Sequence, residues 1–453
     1  MNDRRVQFWL FAILLAGLSI TFAGHGSFVD ENLIMQVVDS IAQRGSLEAM
    51  PGFQALEAPD GKYYSRYGIA FPVIMLPWYY LGEVLFWLFG HHAVFFKGSH
   101  FFACLWGSLF ITALTGVLFY RVCRLIGGEQ AASVALSIAL IWGTSFWPYS
   151  QTLFRLTTTT ALLLILLECI LRHQRQARWL HLVGVAFCAM VGVNLREDIV
   201  IAFAFLGLFA IAIGPAQERG ARALAFWVGG LLGVAIWGWH NYVRFGTFFI
   251  ENYADLEFNY PLLISVPNLL WGWGRGLLPY SPLCLLLLFS FSSAKKHRGL
   301  LLWCTCFGII AAYLFLYAKS HMWHGGRCWG PRHLYYLLPF CMLPGVRLLA
   351  KDQHWGWKAF AAAAFVWGML YNWPGVYAHT GAYQSFASAP GFFELLLRPI
   401  GHPDYITFDD LDLWWVRMVR MYPYSLWPIA FAGLIALTLY CGWRLWHSLK
   451  QQA

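Results

Sequence analysis

The sequence predicts an all-α polytopic membrane protein, one transmembrane domain over 1–453 with about twelve spans. Three observations predict it. Of 453 residues, 59% are hydrophobic and only 12% charged. Several apolar runs approach the roughly 20 residues that a helix needs to cross a bilayer. Aromatic residues make up 18% of the chain, with 24 Trp, a supply suited to interfacial belts at many helix ends.

The expected spans lie near 7–23, 99–120, 131–149, 154–171, 180–195, 198–214, 223–241, 277–292, 299–318, 333–349, 359–376 and 425–443. The first follows Arg4-Arg5 and ends in small residues that would suit signal cleavage, but it reads as a retained span. Both ends then fall on the cytoplasmic side. Charge supports this register: 17 of the 31 bases and 5 of the 22 acids lie inside, leaving +12 inside and −3 outside. Lys and Arg concentrate on the cytoplasmic face of membrane proteins, and here they do so.

Residues 68–90 are apolar enough to compete as a further span. Counting them would export the basic runs around Arg121, Arg172, Arg219 and Lys295. They are therefore predicted to be a helix broken by Pro72 and Pro77 that dips into or lies on the outer leaflet. The net charge of +9 is taken up by topology, and no nucleic-acid partner is implied. The ten Cys form no CxxC pair or disulfide framework. No phosphate-cradling or dinucleotide glycine motif is present, and the cytoplasmic loops are too short to hold a nucleotide domain.

Room for chemistry is external, in 24–98, 242–276, 319–332 and 377–424. The first external loop, 24–98, opens with Asp30-Glu31. After it, Leu33, Ile34, Val37, Val38 and Ile41 recur on one helical face, so a juxtamembrane amphipathic helix is expected. A turn at Asp60-Gly61 and the run Lys62-Tyr63-Tyr64-Ser65-Arg66-Tyr67 follow. Asp30 and Glu31 suit a helix N-cap and first turn equally well as a reactive acid, so both readings stand on the residues alone.

Arg327 and Arg332 flank Gly325-Gly326 and Gly330-Pro331, where backbone amides and two guanidiniums can meet an anion. Loop arginines reaching for lipid headgroups would look the same. Lys62, Arg66, Arg196, Arg275 and Lys319 are further external cations, although Arg196-Glu197-Asp198 also suits a local ion pair. His321 and His324 stand three apart, as on one helical face, but a zinc site needs a third ligand and none is evident. No cofactor is indicated; a divalent metal is compatible but not called for. In the last external loop, 377–424, Asp409 and Asp412 have the spacing of a helix cap, and the segment alternatively reads as acceptor recognition.

An acidic pair after the first span, an amphipathic helix, a GKYYSRYG run and about a dozen spans together resemble the GT-C glycosyltransferase superfamily. The chain is similar to bacterial relatives of protein O-mannosyltransferases and lipid A aminoarabinose transferases, with FGTFFIENY (245–253), GWGRGLLPYSPL (272–283) and WHGGRCWGPRHLYYLLP (323–339) of the same type. In place of the Pro-Pro-Leu many relatives carry, it has Ala70-Phe71-Pro72. The resemblance implies a GT-C-like fold and a glycosyltransferase of the bacterial inner membrane with its active site outside. Its donor would be a polyprenyl-phosphate-linked sugar, its acceptor a glycan or lipid, and membrane lipids its surroundings. Asp30 would be the catalytic carboxylate that takes the acceptor proton, with Glu31 its neighbour or substitute; Lys62, Tyr63, Arg66, Arg196, Arg275, Lys319, His321, His324, Arg327 and Arg332 would bind substrate. A transporter or flippase of lipid-linked sugars, and a ligase or polymerase using a diphosphate-linked donor, are the alternatives.

Overall fold

The computed structural model describes residues 2–24, 29–52, 54–89, 99–249, 257–294, 297–326, 328–377 and 427–450. They group into two compact units. One comprises Met1–Ala23, Thr112–Ser150 and Leu256–Ala453; the other comprises Gly24–Ile111 and Gln151–Asp255. Six helices are long and apolar enough to cross a membrane among the described residues: Ala70–Leu88, His100–Leu125, Leu156–Arg175, Ala216–Phe245, Arg298–Lys319 and Ile429–Lys450. The last external loop, with Asp409 and Asp412, lies outside the described residues.

In the second unit, the acidic pair starts the amphipathic helix Val29–Arg44, and Leu33, Ile34, Val37 and Val38 are buried along it. That stripe packs on helix Ala70–Phe89, where Tyr79 donates to Asp39 at 2.7 Å and accepts from Gln43 at 2.8 Å. The expected break at the prolines does not occur. Ala70–Phe89 is continuous because Pro72 sits in the first turn, where no helical N–H is needed; Pro77 is carried inside.

Between these helices runs a small sheet that an all-α expectation omits. Strands β1 (Glu48–Ala49), β2 (Ala55–Glu57) and β3 (Tyr63–Ser65) pair antiparallel in the order β1-β3-β2. The Asp60-Gly61 turn joins β2 to β3, with Gly61 at φ 75°. The remaining layer of the unit is helices Leu156–Arg175, Trp179–Leu195, Val200–Ile213 and Arg219–Phe245, which pack in neighbouring pairs. Two of them meet backbone to backbone: a Cβ on Gly229 would lie 2.1 Å from Ala186 O. Small residues permit such contact where apolar surroundings offer no other drive for association.

In the first unit, helices Asn2–Ile20 and Trp427–Lys450 pack together, and helix Trp355–Tyr377 lies against Gln130–Trp142 and Phe146–Tyr149. Three expected spans are broken. Residues 131–149 divide at Gly143–Ser145 into Gln130–Trp142 and Phe146–Tyr149. Residues 277–292 form the short helices Leu277–Tyr280 and Leu286–Phe289 with 3₁₀ turns beside them, and 333–349 form Leu338–Met342 between two 3₁₀ segments. Pro279, Pro282, Pro339 and Pro344 supply the reason in the latter two, since each removes a backbone donor from an otherwise helical run.

Candidate functional site

The acidic pair occupies the first turn of Val29–Arg44, where a helix favours negative charge. Its two members have different fates. Glu31 is 1% exposed and accepts the Leu153 amide at 2.9 Å; Asp30 keeps part of its surface. Burying a carboxylate is tolerable only with such donors, so Glu31 is an anchor that fixes the turn carrying Asp30.

The segment that supplies Leu153 also supplies Arg155, which lies 4.2 Å over the Tyr67 ring and donates from Nη1 to Leu195 O at 2.9 Å. Tyr67 is held by its N–H to Ser65 Oγ at 3.1 Å, and Arg244 donates to Ser65 O. Beyond Tyr67, the backbone at Gly68 runs against the end of helix Trp179–Leu195: a Cβ there would be 2.2 Å from Asn194 O. The tyrosine run is thus fastened on both sides.

Of the rest of that run, Tyr64 is buried against Ala58 and Phe245, Tyr63 and Arg66 are half-buried, and Lys62 is exposed. Lys62 pairs with Glu48 across β1 and β3, and the hydrogen bond from Lys62 holds the Glu48 carboxyl below its ordinary value. Tyr63 donates to Glu57 at 3.1 Å, which raises its hydroxyl pKa. The Arg66 amide donates to Gln54 O at 3.4 Å, with its side chain half-buried. Arg196 makes a two-pronged pair with Asp198, both bonds 2.9 Å.

In the first unit the loop from Ser320 to Arg332 is shaped by Gly325, Gly326 and Gly330, with φ of 75°, 75° and 63°. Aromatic groups anchor it: Tyr149 donates to Trp329 O at 2.8 Å, and Trp329 Nε1 donates to Asn372 at 3.2 Å. Arg275 donates to Cys328 O, and a Cβ on Gly325 would come 3.2 Å from the Arg332 Cβ, so this loop gathers two of the expected cations. Arg327 lies outside the described residues.

The Lys319 carbonyl accepts Tyr260 N–H at 2.9 Å, and the His321 amide donates to Glu257 O at 2.8 Å. His324 Nδ1 accepts the Gly326 amide at 3.1 Å, and burial, with Arg275 and His321 nearby, lowers its pKa. His333 stacks on Tyr317 at 4.2 Å. Among the described residues no three His, Cys, Asp or Glu form a metal-holding cluster.

Arg155 is the residue that sequence reasoning passes over. It falls at the edge of an expected span, between Gln151-Thr152 and a run of four Thr. A base at the border of an apolar run is itself a functional signal.

No family model matches the chain, and no curated protein matches it. Among solved structures, ArnT from Cupriavidus metallidurans in the apo state matches with a TM-score of 0.56 at 15% identity, over 97% of this chain and 77% of that one. The same protein bound to undecaprenyl phosphate matches with a TM-score of 0.54 at 15% identity, over 97% and 76%. At this identity the likeness shows the fold alone: the chain shares the architecture of ArnT.

Proposed function

We propose that the protein is an inverting glycosyltransferase that moves a sugar from a polyprenyl-phosphate donor to an acceptor at the outer face of the bacterial inner membrane. The observation that carries this reading is the division of labour in the acidic turn. Glu31 is buried on Leu153 N–H and Asp30 retains exposed surface, within a fold shared with a structure bound to undecaprenyl phosphate.

Asp30 takes the acceptor proton as the acceptor oxygen or nitrogen attacks C1 of the sugar from the face opposite the phosphate. The C1–O bond breaks with its electron pair going to the phosphate, which leaves as the polyprenyl monophosphate. A phosphate leaves as a weak base, so no general acid is required, and one carboxylate suffices where a glycosidase uses two. Cationic donors suit the charge that develops on the leaving group. Lys62, Tyr63, Arg66, Arg196, Arg275, Lys319, His321, His324, Arg327 and Arg332 stand as candidates for substrate contact.

The test is sugar transfer from a set of polyprenyl-phosphate-sugar donors to envelope lipid extracts, with wild type and Asp30→Asn side by side. Transfer by the wild type and its loss in the variant are expected. Equal rates in the two would overturn the assignment of Asp30.

A further inference from the structure

Arg155 belongs to neither group of charges that the sequence singles out. It is only 9% exposed and stands at the N-cap of helix Leu156–Arg175. A guanidinium carries five N–H donors. Among the described interactions Arg155 uses one, from Nη1 to Leu195 O, while its face rests on Tyr67. None of its nitrogens is both fully buried and without a partner, so the Nε and Nη2 edge opens onto accessible space.

Arg155 also has no carboxylate within ion-pair distance among the described residues. Taking a charge out of water costs several kcal/mol when nothing of opposite sign meets it. Packing alone does not account for it, because a Leu or Met would cover Tyr67 without that cost. The helix that begins at Leu156 adds its positive end beside the same side chain, which again favours an anion.

We propose that Arg155 is an anion-binding residue that takes a phosphate oxygen of the lipid-linked donor on the guanidinium edge that Leu195 leaves open, with Tyr67 as the platform behind it. This rests on the donor assignment above. It concerns binding only, and no bond is made or broken at Arg155.

Binding of undecaprenyl phosphate and of undecaprenol to the purified full chain in nanodiscs tests it. Arg155→Met weakens undecaprenyl phosphate by roughly 10- to 100-fold, the range for losing a charge-assisted hydrogen bond, and leaves undecaprenol within about twofold. A merely structural role predicts equal losses for both lipids, and that result overturns the proposal, as does unchanged phosphate binding.

Bulk anionic lipid offers the same phosphate chemistry. If phosphatidylglycerol displaces undecaprenyl phosphate from the wild type at equal concentration, the assignment to the donor fails. Should Arg155→Met not fold, Arg155→Lys keeps the charge and stem but not the planar fork, and the same phosphate-to-alcohol ratio decides. A wild type that does not bind undecaprenyl phosphate refutes the donor reading itself; binding that persists in both variants refutes only the role of Arg155.

Discussion

Glu31 and Arg155 are placed by helix ends and by backbone groups that reach them: the Leu153 amide meets one and the Leu195 carbonyl meets the other. The basic loop of the other unit is placed by backbone conformation, with Gly325, Gly326 and Gly330 all at positive φ and Trp329 pinned by Tyr149 and Asn372. Glu31 and Arg155 therefore depend on which side chains stand at helix starts. The basic loop depends on which residues lack a side chain. Substitutions should separate these two dependences by their size and by what they damage.

The largest effect is expected at Asp30. Asp30→Asn should lower transfer by roughly 10²- to 10⁴-fold, the range for removing a general base. Glu31 should show the reverse. Glu31→Ala leaves the Leu153 amide without its acceptor and should cost about 1–3 kcal/mol in thermal unfolding, whereas Glu31→Gln keeps an acceptor and should cost less. Equal losses for Ala and Gln would break the claim that Glu31 is an anchor.

In the glycine loop, Gly330→Ala and Gly326→Ala both place a side chain at positive φ, which costs about 1 kcal/mol in either case. A Cβ on Gly330 also comes 2.7 Å from the Tyr280 ring, while one on Gly326 meets nothing within 4 Å. The Gly330 variant should therefore be the less stable of the two. If they melt together, the loop is not set by its contact with Tyr280.

A smaller effect concerns acid. Burial lowers His324 below the ordinary 6.5, so as pH falls through that value the unfolded chain takes up a proton that the folded chain refuses. The stabilisation is present above 6.5 and is lost below it. His324→Asn, which retains an acceptor for the Gly326 amide, should flatten the fall in unfolding temperature on acidification below 6.5. The smallest effect on stability belongs to Lys62→Met, whose exposed pair with Glu48 should leave unfolding unchanged.

The helix behind the acidic turn was legible because Leu33, Ile34, Val37 and Val38 repeat at helical spacing and are the residues that become buried. The breaks in 277–292 and 333–349 were not, since hydropathy registers Pro279 or Pro339 as part of an apolar run and not as a missing donor. Strands of two or three residues, such as Glu48–Ala49 and Tyr63–Ser65, are too short to show an alternating pattern. Arg155 was hidden for another reason. Its neighbours Tyr67 and Leu195 are distant in sequence, and only the packing of helix ends brings them to it.

Pro77 has a consequence for depth. Lacking an N–H, it gives nothing to the carbonyl of Val73, a residue 46% exposed. Hydrocarbon cannot satisfy a bare carbonyl, whereas headgroups and water can. The proline is therefore expected to work as a plumb line, drawing the opening turns of Ala70–Phe89 toward the interface. The stretch beyond it, Trp78 to Phe89, is about 18 Å long at helical rise, so only the whole of Ala70–Leu88 has the length to cross a hydrocarbon core of about 30 Å. Replacing Pro77 with Leu would remove that constraint and let the whole helix sink.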